Sequence, residues 1–95
     1  MSIEPQEPEQ SRMRIDKWLW YARFFKSRSM AARFVANGKI RINRQRTSKA
    51  SRAVRPDDVL TFVLHDKLWV IRVCGAGIQR GPAVEARALY EELSG

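Results

Sequence analysis

At Gly38 the spacing of apolar side chains changes from a helical period to a strand period, and this switch limits the folds open to the chain. Before it, Met30, Phe34 and Val35 form one stripe of a helix that starts after Ser27, a favourable N-cap, and runs to about Asn37. Glycine then supplies the left-handed conformation that closes a helix. After it, Ile40 and Ile42 alternate with Lys39, Arg41 and Asn43, as in a strand with one buried face. A helix therefore feeds directly into a strand, with no room for a crossover.

The flanking segments extend this pattern. From Ile15 to Phe25 the apolar residues Ile15, Trp18, Leu19, Ala22 and Phe25 recur at helical spacing, with Asp16 placed to cap the first N–H groups. RQRTSKAS, residues 44–51, is polar and rich in turn formers, and Pro56-Asp57-Asp58 precedes a strand predicted over 59–64, VLTFVL. The connector His65-Asp66-Lys67 is short enough for a hairpin into LWVIRV, residues 68–73. A glycine-rich connection, 74–81, leads to Pro82, which suits the first turn of a helix expected over Ala83 to Leu93. Helix, helix, strands, helix is the order of an α+β domain with its helices packed on a small antiparallel sheet. Residues 12–95 are expected to form that one domain. The opening MSIEPQEPEQS has two prolines, three glutamates and few apolar groups, so residues 1–11 are expected to be a disordered acidic tail.

Charge is distributed as unevenly as hydrophobicity. The net charge is +8, yet residues 12–55 hold fourteen Lys or Arg against the single acid Asp16, while residues 56–95 hold four bases against six acids. The stretch KIRINRQRTSKASRAVR, residues 39–55, has seven bases and no carboxylate. One-sign crowding raises the self-repulsion of the folded state, and it points to a polyanionic partner.

Other chemistries find little support. One His and one Cys fall short of the three or four protein ligands of a metal site. His65 and Asp66 read as turn residues, and the glycines at 75, 77 and 81 lack the context of a phosphate-binding loop. No catalytic residue, metal or cofactor is expected. Cys74 has no second cysteine to pair with, and no N-terminal apolar segment resembles a signal peptide or membrane span, so a cytoplasmic protein is expected.

The bases define the candidate site. At 100° per residue the first helix sets Lys17, Trp20, Arg23 and Phe24 opposite its apolar face. Two readings stay open for Trp20 and Phe24: a platform for an unpaired base, or packing under another element such as the C-terminal helix. Ser27-Arg28-Ser29 opens the second helix with hydroxyls, free N–H groups and a guanidinium, a combination suited to a phosphate oxygen. Ser27 is assigned mainly to the cap; Arg28 has no evident structural duty and is read as a phosphate contact. Arg33 lies off the apolar stripe, where it contacts a ligand or stays solvated. Lys39 and Arg41 project from the strand after Gly38, and Arg44, Arg46, Lys49, Arg52 and Arg55 extend the surface, about half of them expected to touch a ligand. On this reading the front-half cations gather on one exposed wall.

MRIDKWL, SRSMAARFVANGKIRIN, SKAS and VRPDDVL together resemble the RNA-binding module named after the S-four protein of the small ribosomal subunit, across residues 13–62. In that family a helix pair and the following strand form the RNA-binding surface, which implies roles here for Arg14, Lys17, Arg28, Arg33, Lys39 and Lys49. Asn43-Arg44 stands where the family commonly has Asn-Gly, which implies a loop that is wider or differently shaped, and Asp57-Asp58 stands where it has Gly-Asp. RFFKSR and GPAVEARALYEEL are similar to the stand-alone heat-shock protein fifteen subfamily of ribosome-associated proteins. That likeness implies binding to ribosomal RNA of free large subunits, including those holding peptidyl-tRNA after stalled translation; a monomer is expected. A DNA-binding regulator built on the two helices, or a basic membrane-surface adaptor, are the alternatives.

Overall fold

The structure, a computed structural model, describes residues 12–75 and 81–93; the expected acidic tail and residues 76–80 of the glycine-rich connection lie outside the described residues. In chain order the elements are β1 (Met13–Arg14), α1 (Ile15–Tyr21), α2 (Arg28–Ala36), β2 (Ile40–Ile42), β3 (Gln45–Thr47), β4 (Ala53–Val54), β5 (Val59–Leu64), β6 (Lys67–Val73), α3 (Ala83–Arg87) and β7 (Tyr90–Glu92). β3, β2, β5, β6 and β7 lie side by side in that order as an antiparallel sheet, and β1 pairs with β4 separately. This is the expected α+β architecture.

The apolar stripe of α1 does what its spacing predicts. Ile15, Trp18, Leu19, Ala22 and Phe25 are all buried, and they pack with Ala31 and Val35 of α2 against Ile40, Ile42, Leu60, Phe62, Ile71 and Val73 of the sheet. Each such aliphatic side chain contributes about 1.5–3 kcal/mol by leaving water. The Trp18 indole N–H is satisfied deep in the core by the carbonyl of Gly75 at 2.7 Å. Alternate sheet residues, Arg41, Thr61, Val63 and Leu68, face the other way, and that second face carries no helix among the described residues.

Several expectations are corrected. The first helix stops at Tyr21, not Phe25, because Arg23 enters the left-handed region at φ 66°. Arg23 N–H then donates to Trp20 and Phe24 N–H to Leu19, the paired bonds of a Schellman closure with arginine where glycine is usual. In α2, Met30 is 48% exposed and Ala31 takes the buried place assigned to it. The C-terminal helix ends at Arg87, and Tyr90–Glu92 form an edge strand on β6 instead. Local helix preference loses there to sheet pairing, to the ion pairs Glu91–Arg72 and Glu92–Lys67, and to Tyr90's place among Trp18, Phe24 and Trp69.

The loop expected at 44–51 contains strand β3. Its turn is tight rather than wide, since Ile42 faces Gln45 across Asn43-Arg44, with both turn residues at positive φ, 50° and 73°. Asn43 holds it: the side chain accepts from Val59 N–H at 2.9 Å and donates to Asp58 at 3.0 Å. His65-Asp66 makes a second hairpin turn of the same kind. Asp57, standing where the resembled family has glycine, takes the left-handed conformation at φ 77°, and its carboxylate pairs with Arg72 at 2.9 Å. Gly38 closes α2 with φ 71°, as expected.

Candidate nucleic-acid interface

Asp16 is the organising residue. Its side chain is 3% exposed, and it receives both Arg14 Nε at 3.1 Å and Arg14 Nη2 at 3.0 Å. Arg28 Nε lies 3.6 Å from the same carboxylate, and Lys17 N–H donates to it at 2.7 Å. Asp16 therefore does less helix capping than its position suggests; it sits inside the first turn, joins two helices and fixes two guanidinium groups. Arg28 does have a structural duty, contrary to expectation.

That duty leaves charge to spare. One carboxylate faces two arginines that stay 50% and 41% exposed, so the cluster remains net positive. The Nη1 group of Arg14 and both Nη groups of Arg28 have no partner among the described residues. Planar guanidinium groups with spare donors suit phosphate oxygens. Ser27 caps α2, accepting from Met30 N–H at 3.2 Å, and its hydroxyl lies 3.2 Å from that of Ser29.

Backbone bonds bring the long basic loop to this cluster. Ile15 N–H donates to Arg52 carbonyl at 2.7 Å and Asp16 N–H to Ala50 carbonyl at 3.3 Å, so the 49–52 turn abuts the start of α1. Lys49, 35 residues from Arg14 in sequence, is thereby brought with this turn to the start of α1. Lys17 lies along α1 with its Nζ 5.5 Å from the Tyr21 ring centre. Arg33 is exposed on α2 with no side-chain partner among the described residues.

Arg41, Arg44 and Arg46 form a second group, which corrects the expectation of one wall. Arg41 and Arg46 stand directly opposite each other on β2 and β3, on the sheet face away from the helices. Arg44 occupies the hairpin tip. Lys39 joins the groups: its Nζ sits 6.0 Å from the ring centre of Phe34 on α2, and it also lines a cleft of about 400 Å³ with Gly38, Arg41 and Arg46. Like charges facing each other across strands destabilise a sheet unless something intervenes.

The carboxylates lie elsewhere. Arg72 takes up Asp57 at 2.9 Å and Glu91 at 2.6 Å, and these acids, Glu91 foremost, hold its guanidinium above its ordinary pKa. Lys67 takes up Glu92 at 3.0 Å, and Asp58 accepts from Arg55 N–H at 2.9 Å. Three acids of the C-terminal half, Asp57, Glu91 and Glu92, thus pair with bases of that half. As for the aromatic residues of α1's far side, Phe24 is a packing residue, its ring 4.9–5.2 Å from those of Phe62, Trp69 and Tyr90, while Trp20 is half-buried against Tyr21.

Known proteins share this arrangement. The S4 domain family matches residues 13–60. Heat shock protein 15 of Escherichia coli K12 is 42% identical over 82 residues, 86% of this chain and 61% of that protein. The RQC P-site tRNA stabilizing factor of Bacillus subtilis is 39% identical over 61 residues, 64% of this chain and 70% of that protein. Among solved structures, the trimeric heat shock protein 15 of Vibrio cholerae matches with a TM-score of 0.81 and 38% identity, over 87% of this chain and 83% of that one. The chain spans about three fifths of the length of the Escherichia coli relative.

Proposed function

The chain belongs to the S4 domain family, and on that premise we propose that it is a non-catalytic RNA-binding protein whose ligand is ribosomal RNA of the large subunit. The observation that carries this reading is the pair Arg14 and Arg28, held by the buried Asp16 at the junction of the two helices with guanidinium donors still exposed. Lys17, Arg33, Lys39 and Lys49 extend the helix side, and Arg41, Arg44 and Arg46 extend the hairpin side. Ser27 keeps its capping role and offers its hydroxyl at the same edge. Two basic groups joined by Lys39 suit a folded RNA that wraps a sheet edge, because structured RNA is recognised by backbone shape rather than by groove edges.

The likeness to heat shock protein 15 and to a P-site tRNA stabilizing factor supports a finer reading. The protein acts in rescue or recycling of stalled nascent-chain complexes under stress, in the cytoplasm, with peptidyl-tRNA beside the ribosomal RNA. Residues 12–95 act as one RNA-binding domain, with the acidic tail outside it. A single copy carries a complete Arg14–Asp16–Arg28 cluster, so the monomer is the binding unit, although the Vibrio cholerae relative is trimeric.

A salt titration of binding to large-subunit ribosomal RNA tests this. With about five bases on phosphates, log K falls against log salt with a slope near −3.5 to −4.5. A slope near zero refutes the phosphate interface. Duplex DNA or anionic vesicles that compete as well as the RNA would favour a regulator or a membrane adaptor instead.

A further inference from the structure

A second cleft, of about 630 Å³, opens where the turn after α1 meets the β5–β6 hairpin. Arg23 and Lys26 form one wall, His65 and Lys67 the other, and Phe24 and Trp69 supply aromatic surface between them. Most of the second wall comes from residues 64–69, beyond the 13–60 stretch that matches the S4 domain. The cleft is therefore an addition that this chain's C-terminal half makes to the family's module.

We propose that this cleft is a subsite for one unpaired nucleotide of the bound RNA, its base against the Trp69 indole and its phosphate on Arg23 and Lys26; the proposal rests on the RNA-binding reading above. Three observations support it. No carboxylate lines the cleft among the described residues, and Glu92, which reaches Lys67, is neutralised by it at 3.0 Å. Arg23 is fixed in place by its left-handed backbone and by its Nε bond to the Gly81 carbonyl at 2.8 Å, which leaves its Nη groups for a ligand. Trp69 is half-buried, with Phe24 edge-on at 5.0 Å, and Lys67 Nζ, paired with Glu92, lies 3.9 Å from its ring centre, so the indole is held in a fixed position.

The occupant follows from this chemistry. A rigid aromatic surface beside the cations Arg23 and Lys26 takes a π-face and a phosphate together, which is what a splayed-out nucleotide presents. A base inside a duplex cannot reach it. The volume lies within the range of small-ligand sites, about 300–1,000 Å³, too small for a helix end and ample for a nucleotide.

The test compares a blunt RNA hairpin with the same hairpin carrying a four-uridine single-stranded tail, both at low salt. The tail should tighten binding to the native protein about tenfold, the effect of one good base–aromatic stack. Lys26→Ala, an exposed position, and Trp69→Leu, which keeps an apolar side chain in the packing, should each remove most of that gain and leave blunt-hairpin affinity unchanged. A 5-iodouridine tail should photocrosslink to the peptide that contains Trp69. A tail that adds nothing, or variants that weaken both RNAs equally, would overturn the subsite while leaving the main interface standing. If neither RNA binds, the RNA-binding reading itself falls.

Discussion

Replacing Asp16 with asparagine separates organisation of the interface from simple attraction. The carboxylate accepts two bonds from Arg14 at 3.0–3.1 Å and one from Lys17 N–H at 2.7 Å, with Arg28 Nε at 3.6 Å. Charge-assisted bonds to a buried acceptor are each worth about 1.5–3 kcal/mol, but both arginines are half exposed and water recovers part of the loss. The substituted amide also keeps one acceptor for Lys17 N–H. A net destabilisation of about 2 kcal/mol follows, and for a chain of this size each kcal/mol lowers the melting midpoint by about 4–8 °C. Binding gives the sharper result. The substitution raises the net charge by one, so if the bases act only as a cloud, affinity for RNA should rise. If Asp16 aims Arg14 and Arg28, affinity should fall and the salt slope should shrink by about 1.4–1.8, the share of two lost phosphate contacts. Fluorescence anisotropy with ribosomal RNA at a series of salt concentrations, below the melting range, reads both. Tighter binding with an unchanged slope refutes the organising role.

Other expectations concern the turns and the sheet edge. Gly38→Ala places a Cβ 3.6 Å from Arg46 Cδ, an ordinary contact, so its cost is backbone alone: about 1–2 kcal/mol for φ 71°, read by chemical denaturation. Arg44→Gly relieves the same kind of strain at φ 73° and should stabilise the fold by about 0.5–1 kcal/mol while reducing the salt slope of RNA binding by about 0.7–0.9 if Arg44 meets a phosphate. Tyr90→Ala removes a ring that packs on Trp18, Phe24 and Trp69 and should cost about 2–4 kcal/mol, with a shift in tryptophan emission on the folded protein. A loss below about 0.5 kcal/mol, well under the usual range for truncating a packed aromatic ring, would show that β7 adds little to the core.

Much of the fold is legible in the sequence because local signals and burial agree there. Ile15, Trp18, Leu19, Ala22 and Phe25 announce one buried face, Gly38 announces the end of α2, and the alternation at Ile40 and Ile42 announces β2. The failures fall where a distant partner overrides the local pattern. ALYEEL has helical composition, and only the waiting edge of β6, with Lys67 and Arg72 as counter-charges, makes it a strand. The helix end at Tyr21 depends on an arginine in a conformation that nothing in its side chain announces. The division of the basic residues between two sheet faces follows from the β2–β3 register, in which Arg41 meets Arg46. One missed feature had a signal. Arg28 opens α2, where the helix dipole disfavours a cation, and a base in that position implies a nearby anion. Asp16, twelve residues earlier, is that anion.

The same reasoning links charge layout to function. Three carboxylates pair with bases of the C-terminal side, two with Arg72 and one with Lys67, while Asp58 accepts from the Asn43 side chain and from Arg55 N–H. Asp16, the one acid of residues 12–55, is placed where one buried charge positions two arginines without cancelling both. On the far side of the sheet, Arg41 and Arg46 face each other with no carboxylate paired to either among the described residues, an arrangement that costs folding free energy in the free protein. A phosphate bound there would lower that repulsion and make a salt-bridged contact at once. On the RNA-binding reading proposed above, the strain left in the unbound state becomes part of the affinity for a polyanion.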